Sequence, residues 1–132
     1  MIENTLLLIK PNITAINKIG QIISIVEQNG FVIKQMKLLR MTEQLAMSFY
    51  SIHKGKPFFT GLVEFMTSGN IVAIVLQKEN AVMDLRTLVG KTNPANASIN
   101  TLRYLYGESL RVNAVHASDS VEHAKTEIEI IF

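Results

Sequence analysis

The sequence predicts an α+β fold, a ferredoxin-like βαββαβ sandwich whose helices cover one face of a four-stranded antiparallel sheet. Two observations carry this. Short, β-branched apolar runs alternate with stretches of helical period, and glycine, proline and asparagine punctuate the boundaries between them. At 132 residues and 48% hydrophobic content, the chain has enough apolar material for one sizeable core and is expected to form a single domain over residues 1–132.

The elements follow in order. TLLLI (5–9), stopped by Lys10 and Pro11, suits a buried strand whose last residues present polar groups at a sheet edge. Ile19, Ile22, Ile23 and Val26 form one helical stripe, ended by Asn29-Gly30. Residues 31–41 alternate in part and begin with β-branched side chains, so they read as a second strand. Thr42 is a good N-cap for a helix that carries Tyr50 near its end. Pro57 suits the first turn of another helix, with Phe59, Leu62, Val63 and Met66 on its buried face and Phe58 off that stripe.

NIVAIVL (70–76) is continuously apolar and should be a central strand. Asn80 can cap AVMDLRTLV, which stops at Gly90, and the polar stretch 91–100 is a surface loop long enough to have a task. TLRYLYG is helical, NAVH is a short fourth strand, and the last helix is begun by Asp119 or Ser120.

Composition excludes several classes of function. With 13 basic and 11 acidic residues the net charge is +2, so there is no polybasic arm for nucleic acid. Zero cysteines exclude disulfides, thiolate metal sites and cysteine nucleophiles, and fit a cytoplasmic protein. The apolar run near the N-terminus follows an acidic start and is too short for a membrane span, so the chain is expected to be soluble and unprocessed.

NAVHASDS (113–120) sets a histidine beside Val115 and Ala114 and ahead of two hydroxyls and an acid. Such a half-buried setting can hold an imidazole still while leaving it reachable. His123 has charged neighbours that suggest an outward helix face, and His53 lies in a turn-like segment, so His116 is the preferred candidate. Lys10, Tyr50, Phe58, Arg86, Thr92, Arg103, Asn113, Ser118 and Glu127 also break their local patterns. Among them Lys10, Arg86 and Arg103 are cations and Thr92 is a loop-edge hydroxyl, a set suited to a phosphate chain. By pattern alone Arg86 and Arg103 read more readily as solvated helix residues. There is no GxxxxGK[ST] or GxGxxG, so phosphate is not bound by a glycine-rich loop.

The chain resembles the nucleoside diphosphate kinases. The likeness runs through TLLLIKPN, Gly20, Gly30-Phe31, YSIHKGKPFFTGLVEFMTSG, ENAVMDLRTLVGKTNP, TLR, NAVHASDS and the closing EIEIIF. It spans essentially the whole chain, and NAVHASDS is its most specific part. The resemblance implies transfer of the γ-phosphate of a nucleoside triphosphate, typically ATP, to nucleoside diphosphates by a ping-pong route through phosphohistidine at His116, with Mg2+ on the nucleotide phosphates. It further implies that Nδ1 of His116 attacks, that Glu127 orients the ring and Ser118 supports Glu127, and that Tyr50 lies close by. Lys10, Arg86, Thr92 and Arg103 would hold phosphate oxygens. Phe58 and Leu110 would flank the base with Leu62 nearby, and Asn113 with Lys10 would meet the ribose 3'-hydroxyl.

A homo-oligomer, tetramer or hexamer, is implied too, with neither a membrane nor nucleic acid as the main partner. Departures from the family pattern are Asn12 for aspartate, Asn70 for proline, Ala117 for glycine and Ile99-Asn100 for proline-glycine. The alternative is a catalytically weak nucleotide- or nucleic-acid-binding module on the same fold, against which the intact Lys10, Arg103, His116 and Glu127 argue.

Overall fold

The computed structural model describes residues 1–132. Its sheet comprises β1 (Ile2–Ile9), β2 (Val32–Leu39), β3 (Ile71–Glu79) and β4 (Val115–Ala117), all antiparallel in the order β2-β3-β1-β4. The helices are α1 (Pro11–Thr14), α2 (Ile19–Gln28), α3 (Glu43–Phe49), α4 (Phe59–Met66), α5 (Ala81–Val89), α6 (Leu102–Tyr106) and α7 (Val121–Ile131). Short 3-10 turns occupy Ser51–His53 and Pro94–Asn96. None of the helices is long and apolar enough to cross a membrane.

The β-α-β-β-α-β nucleus is present, but helices cover both faces of the sheet rather than the one face expected from sequence. Leu7, Ile9, Val72, Ile74 and Leu76 pack with Ile22 and Val26 of α2 and Leu85 and Val89 of α5. On the opposite face Leu6, Leu8, Ile71 and Ala73 meet Ala46 and Phe49 of α3, Val63 and Met66 of α4, and Ile131 of α7. The physical reason is legible in β1 and β3. Their apolar runs do not alternate, and a strand apolar on every residue must be covered twice.

Several boundaries moved. β1 begins at Ile2 and β3 extends to Glu79, because ladder pairing carries each strand past its apolar run. β1 lies inside the sheet, between β3 and β4, so Lys10 sits at a strand end and not along a sheet edge. A register shift between Ile33 and Gln35 interrupts the β2–β3 ladder. Pro57 precedes α4 in a turn, and Tyr50 follows α3 as its C-cap. Thr42 caps α3 as expected, accepting from Leu45 N–H at 3.0 Å. Of the two candidates for α7 it is Ser120 that caps, accepting from His123 N–H. Asn80 flanks α5 with φ +55° but makes no side-chain cap; Glu3 of β1 instead accepts from Val82 N–H at 3.1 Å. A carboxylate there also suits the positive end of the helix.

In the loop before α6, Ile99 is 71% exposed and Asn100 adopts φ +73°. A left-handed backbone favours glycine over asparagine, and a solvated Ile99 makes no packed contact for proline to break. The double change Ile99→Pro, Asn100→Gly is therefore expected to stabilise the fold by about 0.4 to 1 kcal/mol per compatible site. Thermal melts should show the midpoint rising by about 3 to 7 °C for the pair; a lower midpoint would contradict this reading of the loop.

Candidate active site

Strand alternation explains the NAVHASDS segment. Val115 and Ala117 point into the core shared with α2 and α5, and His116, between them and paired with Leu8 of β1, points to the other face. There its ring meets Phe49 and Tyr50 edge-on, with centroids 5.1 and 6.2 Å away. The main chain just before β4 is strained. Ala114, fully buried, has φ +80°, and Val115 N–H donates to Asn113 C=O at 3.0 Å, closing a three-residue turn. Such a conformation costs roughly 1 to 3 kcal/mol at a non-glycine residue and persists only where its surroundings enforce it. Lys10 N–H, donating to Ala114 C=O at 2.8 Å, is one such constraint.

His116 Nε2 lies 3.1 Å from Glu127 Oε1, and Ser118 Oγ donates to the same oxygen at 2.6 Å. Burial pushes the Glu127 pKa up, but the hydrogen bond and charge of His116, with help from Ser118 and His123, outweigh it, so the net shift is downward. An ionised carboxylate can only accept, so Nε2 must carry the proton it donates, and Nδ1 of the neutral ring keeps its lone pair. Glu127 comes from α7 and Ser118 from the end of β4, so two elements fix one tautomer.

Around this pair lies a cavity of about 730 Å³. Lys10, Tyr50, Phe58, Leu62, Arg86, Thr92, Arg103, Leu110, Asn113, His116 and Glu127 all line it. Ser118 is buried behind Glu127, so the structure gathers every residue singled out from sequence. A wider cleft of about 830 Å³ between α5 and the 98–101 segment holds no imidazole, and its carboxylate, Asp84, is paired with Lys78.

The cations are held in different ways. Lys10 Nζ donates to Asn113 Oδ1 at 2.7 Å, while Asn113 Nδ2 donates to the carbonyls of Thr92 and Leu110. Burial, and secondarily the charge of Arg103, lowers the Lys10 pKa to about 7. Arg103 donates to Gly90 C=O at 3.0 Å and Val115 C=O at 2.9 Å. Burial and then Arg86 bring its pKa down to about 10, with Asp119 opposing, so it stays charged at neutrality. Gly90 has φ +90°, and a Cβ there would come within 2.6 Å of Thr101 Oγ1, so the carbonyl that seats Arg103 depends on glycine. Arg86 pairs with Asp119 near the surface. The Tyr50 hydroxyl is buried without a partner in the protein, and burial, reinforced by Glu127, raises its pKa, keeping the phenol protonated.

Sequence reasoning passed over His53, Asp119 as a cavity group, and Arg111. His53 belongs to the 3-10 turn after α3, its ring stacked 6.5 Å from Tyr50 and tilted 5.1 Å from Phe58. Burial, then Lys56, lowers its pKa, although Asp119 opposes them, so the ring is mainly neutral at pH 7. The signal was its spacing of three from Tyr50, which in a helical turn puts both on one side.

A family model described as nucleoside diphosphate kinase matches residues 3–132. Among solved structures, an orthorhombic form of the Aquifex aeolicus nucleoside diphosphate kinase is 41% identical, with a TM-score of 0.98 over 100% of this chain and 96% of that one. The apo enzyme from Encephalitozoon cuniculi is 37% identical, with a TM-score of 0.94 over 97% of this chain and 87% of that one. A halophilic enzyme from Halobacterium salinarum, in complex with CDP, is 35% identical, with a TM-score of 0.96 over 100% of this chain and 88% of that one.

Proposed function

The chain belongs to the nucleoside diphosphate kinase family, and from that membership we propose how its cavity performs the family reaction. The enzyme transfers the γ-phosphate of a nucleoside triphosphate to a nucleoside diphosphate. In our reading, Nδ1 of His116 attacks the γ-phosphorus, the bond to the β-γ bridging oxygen breaks, and the diphosphate leaves. A second diphosphate then takes the phosphate from the histidine by the reverse steps. The observation that carries this is the Glu127–His116 Nε2 contact at 3.1 Å, which favours the tautomer with a nucleophilic Nδ1.

Each neighbour has a task. Arg86, Arg103, Thr92 and Lys10 meet phosphate oxygens, and the Arg103 fork, seated on two carbonyls, is held in place before substrate arrives. The Tyr50 hydroxyl offers a donor beside the histidine, and His53 a further ring near the phosphates. Asn113 and Lys10 meet the ribose 3'-hydroxyl, and the base lies between Phe58 and Leu110, with Leu62 nearby. Apolar faces tolerate any base.

Mg2+ is expected on the nucleotide phosphates rather than in a protein cage, as is usual for this hard cation in phosphoryl transfer. Asp119 is the cavity carboxylate free of the histidine pair and would hold that ion; when bound, Mg2+ neutralises phosphate charge.

The chain forms one domain over 1–132, acts in the cytoplasm and assembles as a tetramer or hexamer. Support for assembly comes from β2, an edge strand on which Val32, Met36 and Leu38 are each more than half exposed. The test of function is phosphate transfer from ATP to a second nucleoside diphosphate. Glu127→Gln is expected to slow that turnover about ten- to a hundredfold with little change in KM, since it loosens the ring without removing it. Unchanged turnover would reduce Glu127 to a helix-packing acid.

A further inference from the structure

Four cations line the cavity, and three of them are engaged: Lys10 by Asn113, Arg86 by Asp119 and Arg103 by two carbonyls. Arg111 is exposed and makes no hydrogen bond or ion pair. Its guanidinium instead lies across Gly61 of α4. A Cβ added at Gly61 would come within 2.3 Å of Nη2, 2.4 Å of Cζ and 2.6 Å of Nη1. All three atoms crowd that one position, so a Cβ there would push the fork out of its present place. Glycine inside a helix costs about 1 kcal/mol relative to alanine, and here it gives the arginine a seat.

The seat has a particular place. Arg111 follows Leu110, and Gly61 lies between Phe58 and Leu62, so the arginine runs from one wall of the cleft to the other, at the residues proposed to hold the base. A ring lying between Phe58 and Leu110 has this fork at its rim. The guanidinium offers donors only, in a geometry that matches paired acceptors. Guanine presents such a pair in O6 and N7, whereas cytosine presents an amino donor on its corresponding edge.

We propose that Arg111, seated on Gly61, is a specificity-determining residue that favours guanine over cytosine nucleotides in the base slot. This rests on the placement of the base between Phe58 and Leu110. Stacking alone discriminates little between bases, so a preference must come from edge contacts, and Arg111 is the cavity's uncommitted forked donor.

The experiment compares kcat/KM for GDP and CDP as acceptors of phosphate from ATP, in the parent enzyme and in Arg111→Ala, Arg111→Gln and Gly61→Ala. The parent should favour GDP, and the GDP-to-CDP ratio should fall about tenfold in Arg111→Ala, mainly through KM for GDP. Arg111→Gln, which keeps a polar side chain of similar reach, guards against a folding defect and should lower the ratio as well. Gly61→Ala keeps the arginine but takes away its seat, and should shift the ratio in the same direction. An unchanged ratio in both Arg111 variants would overturn the proposal. Equal losses for both nucleotides would do so too, because a merely structural arginine affects them alike. If a phosphorylated parent enzyme passed phosphate to neither diphosphate, the base-slot reading itself would fail, and the proposal with it.

Discussion

His116→Ala is expected to leave no acid-labile, base-stable phosphate on the protein after incubation with γ-labelled ATP, and to lower nucleotide exchange by about 10⁴-fold or more. The size follows from what is removed. Positioning groups leave the nucleophile in place, but without this imidazole there is no atom to carry phosphate between the two half-reactions. The cavity supplies a control in His53, a second imidazole of depressed basicity, whose Nδ1 is buried without a partner. His53 lacks a carboxylate to fix its tautomer, so His53→Ala should keep the label on the protein. Label that persists in His116→Ala and vanishes in His53→Ala would move the phosphoenzyme to the other ring.

Lys10→Met is expected to slow turnover by about 10² to 10³-fold while making the protein more resistant to heat at pH 6. Removing one fixed donor to developing charge in a water-poor site has a kinetic cost of that order. The gain in stability comes from the same burial. Lys10 titrates at about 7 in the folded protein against 10.5 when unperturbed. Between those values the unfolded chain holds the proton and the folded one does not, so stability rises with pH across that window. Below about pH 7 the folded protein carries the buried charge, and the full penalty applies. Melts of parent and variant at pH 6 and pH 9 should therefore differ more at pH 6. A variant that melts lower than the parent at pH 6 would show that the Asn113 contact outweighs desolvation. The sequence tolerates a destabilising lysine at the end of a core strand, as functional sites commonly do.

Much of the fold was legible because β1 and β3 are short, continuous, β-branched apolar runs bounded by turn residues, and the α2 stripe has a clear helical period. The second covered face is not visible in any single helix, because the need for α3, α4 and α7 on that side follows from the non-alternating sheet residues Leu6, Leu8 and Ala73. The cap of α5 was illegible in principle: Asn80 is a plausible local cap, and Glu3 is distant in sequence. His116 stood out from its half-buried setting, and the roles of Ser118 and Glu127 beside it came from the resemblance to the nucleoside diphosphate kinases. Local pattern alone left Arg86 and Arg103 open, since carbonyl seats such as Gly90 and Val115 exist only once the chain has folded. His53 and Arg111 were passed over for a related reason. Each looks like an ordinary turn or loop residue until a neighbour across the cleft, Phe58 or Gly61, gives it a place.

The Lys10–Asn113 bond joins residues 103 positions apart, and Glu127 sits on the last helix. During synthesis, a chain growing at about 5 to 20 residues per second would hold β1 and its lysine ready long before their partners left the ribosome. Over that interval no intermediate could hold a phosphate chain or orient the histidine, because the parts that do so meet only when the carboxyl end closes over the sheet. Catalysis would then report completion of the whole molecule rather than of any one segment, and a chain stalled before Glu127 would be inert toward the cell's triphosphates. Hydrogen exchange should reflect the same arrangement, with the β1–β4 amides and the inner turns of α7 opening together rather than one after the other.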